Sequence, residues 1–186
     1  MMSEKDIVKG CKRGTTAARQ ELFEQYAPHL MAVIYRYVAN EDDANDVLHD
    51  TLIDVYTRID SFKWEGKGSL KAWMTRIAIN NSISNLRAQK RLVKNTLPLD
   101  NAGEPPDDDD QEMTSSVNNI DLDTIMSMIA ELPDGYRAVF NLYCLDGYSH
   151  QEIANQLGIS VNTSTSQLTR AKAILAQKIK AFANKQ

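Results

Sequence analysis

Residues 148–172, YSHQEIANQLGISVNTSTSQLTRAK, read as two short helices joined by a tight turn. Ser149 suits a cap for the first helix, and Glu152 three residues on completes a capping box. Ile153, Ala154 and Leu157 share one helical face. Gly158 follows at once and suits the left-handed residue that ends a helix. Ser160 or Asn162 caps the second helix, whose apolar positions Leu168, Ala171, Leu175, Ile179 and Phe182 recur every three or four residues. The small side chain of Ala154 lets the two helices cross closely, and the glycine four residues later makes the turn. The pattern is that of a helix-turn-helix, whose second helix enters a DNA major groove.

The outer face of that second helix carries Asn162, Thr163, Ser164, Thr165, Ser166, Gln167, Thr169 and Arg170. These are mostly short hydrogen-bonding side chains, of the kind that reaches base edges and phosphates. From Ser160 onward there are five basic residues and no acidic one. A helical hairpin with a polar outer face is the competing reading, because a fold does not fix a function.

Composition sets outer bounds. The 186 residues allow one domain or two small ones, and 42% hydrophobic content is enough for packed cores. Eight Gly and five Pro argue against a β-rich or disordered chain. Cys11 and Cys144 are far apart and show no zinc spacing, which fits a reducing compartment. The charged N-terminus carries no apolar signal region, and no apolar run approaches the ~20 residues needed to span a bilayer. A soluble, intracellular protein without membrane insertion is expected. The net charge of −4 looks wrong for a nucleic-acid binder until it is mapped along the chain.

Residues 3–38 read as helical. Leu22, Phe23, Tyr26, Leu30, Ile34 and Tyr37 form an apolar stripe, which Pro28 is expected to kink or divide. Residues 41–60, EDDANDVLHDTLIDVYTRID, form an acidic amphipathic helix with Asn40 as cap. Val47, Leu48, Leu52, Val55, Tyr56 and Ile59 make its buried side. Asp46, Asp50 and Asp54 repeat every four residues as one acidic ridge. Like charges at that spacing weaken a helix, so the ridge is either a binding face or a solvated one. Asp46 and His49 also have the spacing of a carboxylate–histidine metal pair, but no second pair accompanies them. No metal site, cofactor or catalytic residue is expected.

Charge reverses over residues 61–94. Eight residues there are basic and only Glu65 is acidic. A loop with Lys63, Trp64, Gly66, Lys67 and Gly68 precedes a helix expected to be capped by Ser69. Leu70, Trp73, Ile77, Ile83 and Leu86 give this helix an apolar side, where Trp73 reads first as a core anchor. Arg76, Asn80, Ser84, Arg87 and Arg91 step along its polar side. Arginine, asparagine and an aromatic loop suit single-stranded or melted nucleic acid, whose unstacked bases lie on rings while its backbone follows positive charge.

Residues 95–119 have no helical period, hold three of the five prolines and carry no basic residue. They read as a flexible acidic linker. Nine acidic residues between Asn95 and Asp123 account for the net negative charge. Residues 120–147 resume as helix, with stripes at Leu122, Ile125, Met126 and Ile129, then Ala138, Val139, Leu142 and Tyr143. Leu132-Pro133 divides the two helices, and Asp146-Gly147 ends the second.

The expected fold is all-α: two small helical domains, 1–94 and 120–186, joined by the linker 95–119. This order of parts resembles the extracytoplasmic-function (ECF) sigma factors, the promoter-recognition subunits of bacterial RNA polymerase in the sigma-70 family. The likeness is carried by DDANDVLHDTLIDVY at 42–56, SLKAWMTRIAINNSISNLRAQKR at 69–91, LPDGYRAVFNLYCLDGYSHQEIANQLGIS at 132–160 and SQLTRAKAIL at 166–175. It implies a region 2-like bundle, then a region 4-like four-helix domain holding the helix-turn-helix.

The resemblance also implies roles. Asp46, Val47, Leu48 and Asp50 would dock on core RNA polymerase. Lys63, Trp64, Lys67, Trp73, Arg76, Asn80, Asn81, Ser84, Arg87 and Arg91 would recognise and melt the −10 element of promoter DNA. Ser149, Asn162, Thr163, Ser164, Thr165, Ser166, Gln167, Arg170 and Lys172 would read the −35 element. An anti-sigma factor is an implied partner. Departures from the family pattern include Ser164 in place of an apolar residue, and Thr165 and Gln167 in place of basic ones. Two alternatives frame the reading. A polymerase-independent helix-turn-helix regulator would be a dimer on a palindromic site, and a metalloenzyme on the acidic helix would need inward carboxylates.

Overall fold

The computed structural model describes residues 2–94 and 120–184, and the side chains of 90–94 fall outside that description. The expected acidic linker, 95–119, lies outside the described residues. Among those described, every regular element is helical. The chain separates into two compact units, Met1–Ala88 and Gln89–Gln186.

The first unit holds α1 (Glu4–Lys12), α2 (Thr16–Tyr35), α3 (Glu41–Arg58), a 3-10 turn (Ile59–Ser61) and α4 (Ser69–Lys94), which runs past the unit boundary. Ser3 caps α1, its hydroxyl accepting from the Asp6 N–H at 3.2 Å. Asn40 caps α3 as expected, accepting from the Asp43 N–H at 3.0 Å. Such a cap is worth about 1 kcal/mol. Helix α1 buries Ile7, Val8 and Cys11 and packs on α2, which in turn packs on α3. Leu22, Leu30, Ile34, Tyr37, Leu70, Met74 and Ile83 fill the centre. Each such side chain contributes about 1.5–3 kcal/mol by leaving water. Helix α4 is keyed to α2 where Thr75 Oγ1 meets His29 Nε2 at 3.0 Å. Burial lowers the His29 pKa, and the nearby Lys71 and Arg36 cations push the same way.

Three expectations change here. Helix α2 runs unbroken through Pro28. Proline removes one N–H and crowds the carbonyl four residues back. Both Pro28 and Glu24 lie on the exposed side of α2. Phe23, placed on the apolar stripe, is exposed rather than core. Ser69 is the first residue of α4 and not its cap. The capping acceptor is the carboxylate of Glu4 on α1, which takes the Gly68 N–H at 2.7 Å and the Leu70 N–H at 2.8 Å.

The second unit holds α5 (Leu122–Ala130), α6 (Asp134–Phe140), a π-helical turn (Asn141–Leu145), α7 (His150–Leu157) and α8 (Val161–Ala183). Helix α8 is its spine. Ala171 and Leu175 of α8 pack with Ile129 and Leu132, flanked by Ile125, Met126, Tyr136 and Phe140. Leu122, expected in the α5 stripe, is exposed. Tyr143 also departs from expectation. The π turn widens the helix, with the Asp146 N–H reaching the Asn141 carbonyl at 3.0 Å. That shift of period turns Tyr143, Cys144 and Leu145 outward. Arg137, by contrast, is only 5% exposed and faces inward. Its guanidinium donates to the Ala130 and Leu132 carbonyls at 2.9 and 3.1 Å and to Asp134 Oδ1 at 2.7 Å.

Candidate nucleic-acid interface

Three surfaces carry the candidate residues, two in the first unit and one in the second. On α3, Asp42, Asn45, Asp46, His49, Asp50 and Ile53 are exposed. Ile53, at 62% exposure, sits on the acidic face as an exposed apolar side chain. Asp54 differs from its ridge neighbours. It pairs with Arg58 at 2.9 Å and accepts from the Asn81 amide of α4 at 3.0 Å. Val47 and Leu48 are buried, so the docking role expected of them is corrected: they hold α3 in the bundle. The face that can meet a partner is Asp46, Asp50 and Ile53. Among the described residues no group of three or more His, Cys, Asp and Glu side chains could hold a metal ion.

On α4, Arg76, Asn80, Ser84 and Arg87 are all exposed, as their spacing predicts. Arg91 continues this row in sequence, but its side chain lies outside the described residues. Asn81 does not join them. Its amide is spent between Thr51 Oγ1 at 3.4 Å and Asp54, locking α3 to α4. At the N-terminal end of this face lies a cleft of about 390 Å³, lined by Ser61, Phe62, Lys63, Glu65, Ser69, Ala72, Trp73 and Arg76. Trp73 is half-buried and packs on Phe62 with ring centroids 4.9 Å apart and a tilt of 38°. It is at once core anchor and cleft wall. Trp64 is 40% exposed, with the Lys5 ammonium 5.2 Å from its ring centroid. Lys63 and Lys67 are exposed beside it. An aromatic wall, two cations and a space of this size suit an unstacked base with its phosphate.

The helix-turn-helix of the second unit is built as its sequence predicts. Ser149 and Glu152 form the reciprocal capping box, and Gly158 ends α7 with φ of 66°. Ser160, not Asn162, caps α8, accepting from the Thr163 N–H at 3.0 Å. On α8, Asn162 and Thr165 are exposed, and Thr163, Ser166, Gln167, Arg170 and Lys172 are half-buried. Several hydroxyls are turned back on the helix. Thr165 donates to the Val161 carbonyl at 3.1 Å and Ser166 to the Thr163 carbonyl at 3.1 Å. Their oxygens still accept, but their protons are spent, which leaves Asn162 and Gln167 as the better donors toward bases. Ser149 is exposed, with its hydroxyl held by Glu152 at 2.7 Å.

Ser164 requires correction. Expected on the outer face, it is 0% exposed and meets His150 Nδ1 at 2.9 Å. The His150 ring stacks on Tyr143 at 4.6 Å and 22°. This Tyr143–His150–Ser164 chain joins the π turn, α7 and α8. Sequence reasoning missed it because its members lie 7 and 14 residues apart on different elements. The one available signal is that Ser164 occupies a position where the resembled pattern carries an apolar residue.

Comparison with known proteins follows the same division. The sigma-70 region 2 model matches residues 22–92, and the sigma-70 region 4 model matches residues 122–175. The chain belongs to the sigma-70 family, in its ECF group. It is 29% identical to the ECF RNA polymerase sigma factor SigW of Bacillus subtilis over 189 residues, covering 96% of this chain and 98% of that one. It is 27% identical to the ECF RNA polymerase sigma-E factor of Haemophilus influenzae, with 96% of both chains covered. SigE of Mycolicibacterium smegmatis is 27% identical over 152 residues, which cover 82% of this chain and 58% of the length of that one. Among solved structures, CnrH in complex with the cytosolic domain of CnrY has a similar fold, with TM-score 0.50 and 21% identity over 96% of this chain and 97% of that one. No helix among the described residues is long and apolar enough to cross a membrane.

Proposed function

We propose that this ECF sigma factor works by binding alone. Residues 1–94 form region 2, 95–119 a linker and 120–186 region 4. Asp46, Asp50 and Ile53 of α3 dock on core RNA polymerase. The cleft beside Trp73, with Lys63, Trp64, Lys67, Arg76, Asn80, Ser84 and Arg87, captures unpaired bases of the −10 element. Holding a base outside the stack favours strand opening, because closing the duplex then means giving up that contact. Asn162, Gln167, Arg170 and Lys172 read the −35 duplex, with Thr163, Thr165 and Ser166 accepting and Ser149 near the backbone. The factor supplies promoter choice and the polymerase supplies the chemistry, in the cytoplasm. An anti-sigma factor would act by covering these faces.

The observation that carries this reading is one unit with an acidic face on α3 and a basic, aromatic-walled cleft beside α4. A linker of about 25 residues reaches roughly 80 Å when extended. Promoter elements about 17 base pairs apart lie roughly 58 Å apart at about 3.4 Å per pair. The test is co-purification with bacterial core RNA polymerase, followed by transcription from promoters selected out of random duplex DNA. Specific initiation by the eluted complex is expected. A folded, uninhibited chain that fails to associate would leave the likeness to sigma factors one of fold only.

The inward position of Ser164 separates two kinds of variant. Asn162→Ala with Gln167→Ala should weaken binding to the selected −35 duplex at least about tenfold, since a good base contact is worth about 1–3 kcal/mol. Thermal stability should not move. Ser164→Ala should lower stability by about 1 kcal/mol through the lost His150 contact. Weaker DNA binding by Ser164→Ala at unchanged stability would return Ser164 to the reading face.

A further inference from the structure

The loop that walls the cleft has little of its own to hold it. Gly66 and Gly68 adopt φ of 134° and 91°, and neither brings a side chain. Gly68 precedes the first residue of α4, where a capping side chain would normally sit. The Ser69 hydroxyl cannot take over, because it donates to the Gly66 carbonyl at 2.7 Å and accepts the Glu65 N–H at 3.3 Å. Among the described residues, the longer-range hydrogen bonds on this segment all come from α1. Glu4 accepts from the N–H groups of Gly68 and Leu70, with the Ser69 hydroxyl 3.4 Å away. Lys12, two turns along α1, donates to the carbonyls of Asp60 at 3.1 Å and Phe62 at 2.8 Å. Between them, Lys5 lies over the Trp64 ring.

We propose that α1 is the clamp that presets the −10 cleft, with Glu4 and Lys12 as its positioning residues. Lys12 fixes the stretch of chain that delivers Phe62 and Lys63 to one wall. Glu4 fixes the start of the helix that delivers Ser69, Trp73 and Arg76 to the other. Both anchors sit on one short helix seated by Ile7, Val8 and Cys11. The distance between the walls is therefore set by α1 together with the Phe62–Trp73 ring contact, and not by the glycine loop. Order built in before binding leaves less to be lost when a base is captured. Neither Glu4 nor Lys12 lines the cleft, so each acts through the groups it holds. The inference rests on the −10 reading above and deepens it.

The experiment uses the whole chain bound to core polymerase and a forked DNA from a promoter that the wild-type complex selects. Each unpaired base is removed in turn as an abasic site. Wild type should show one or two positions where the abasic site costs tenfold or more. A flat abasic profile in wild type would overturn the cleft reading itself and the clamp with it. Given a sharp profile, Glu4→Ala should bind the intact fork about tenfold more weakly and lose most of the abasic penalty. Its affinity for core polymerase should stay within twofold. Glu4→Gln, which keeps one acceptor, should fall between. Amide exchange at Gly68 and Leu70 should accelerate in Glu4→Ala relative to the buried α4 amides. An unchanged abasic profile in Glu4→Ala would overturn the clamp. If Glu4→Ala unfolds the first unit, Lys12→Met decides, since it frees the opposite wall and leaves the α4 cap in place. A retained abasic penalty in Lys12→Met would equally overturn the proposal.

Discussion

Arginine at both Asp46 and Asp50 is expected to abolish association with core RNA polymerase, by about 100-fold or more in affinity, without disturbing the fold. The two carboxylates are exposed on successive turns of α3. Reversing both changes the local charge by four units on a face that otherwise presents Asp42 and the apolar Ile53. Opposed like charges at an interface cost several kcal/mol, and each 1.4 kcal/mol is tenfold. Solvated side chains can be reversed at little cost to the helix. Their i, i+4 repulsion with each other persists, and the repulsion with the acidic first turn becomes attraction. Asp54 is left out of the variant by design. It pairs with Arg58 and Asn81, so its reversal would also break the α3–α4 lock. Glu24→Arg on the exposed side of α2 is the control, expected to change affinity less than about threefold. Pull-down titration with thermal denaturation checks all three proteins. Binding by the double variant within threefold of wild type would remove the acidic face from the mechanism.

The parts of this molecule that could be read from sequence are those where the cause is local. The capping box at Ser149 and Glu152, the turn at Gly158 and the Asn40 cap each depend on groups within four residues, and each formed as read. The exposed row Arg76, Asn80, Ser84 and Arg87 followed from helical spacing alone. Where reading failed, the deciding partner was distant or the helical period changed. The α4 cap comes from Glu4, 64 residues away from Gly68. Asn81 is drawn inward by Asp54 of another helix. Ser164 looked like its hydroxylated neighbours, but His150 across the turn gives it a buried partner. Tyr143 was assigned with a period of 3.6, and the π turn beneath it displaced it outward. Polarity alone thus marked which residues could bind DNA, while burial decided which of them are free to.

Arg137 carries that lesson to the largest stability effect expected in the second unit. By charge it belongs with the basic residues of a DNA-binding domain, but at 5% exposure it cannot reach a phosphate. Its guanidinium ties the carbonyls of Ala130 and Leu132 to Asp134, fixing the corner where α5 ends and α6 begins. That corner contains Pro133, which has no N–H to offer, so the arginine supplies donors the backbone lacks. Arg137→Met keeps most of the apolar stem but leaves two carbonyls without this donor. Each lost partner costs about 1–3 kcal/mol where water cannot replace it. The variant should lose about 2–4 kcal/mol, a large share of the roughly 3–10 kcal/mol that a unit of this size holds. At about 4–8 °C per kcal/mol, its transition should move down by roughly 10–30 °C. The chain itself provides the means to see this in one unit. Both tryptophans, Trp64 and Trp73, lie in the first unit. Far-ultraviolet circular dichroism should therefore show an early loss of helix, while tryptophan fluorescence melts at the wild-type temperature. Binding to the −35 duplex should vanish with the first transition, and core polymerase binding through α3 should survive it. A helical transition within about 2 °C of wild type would mean that water or a rearranged backbone satisfies those carbonyls, and that Arg137 is buried without being structural.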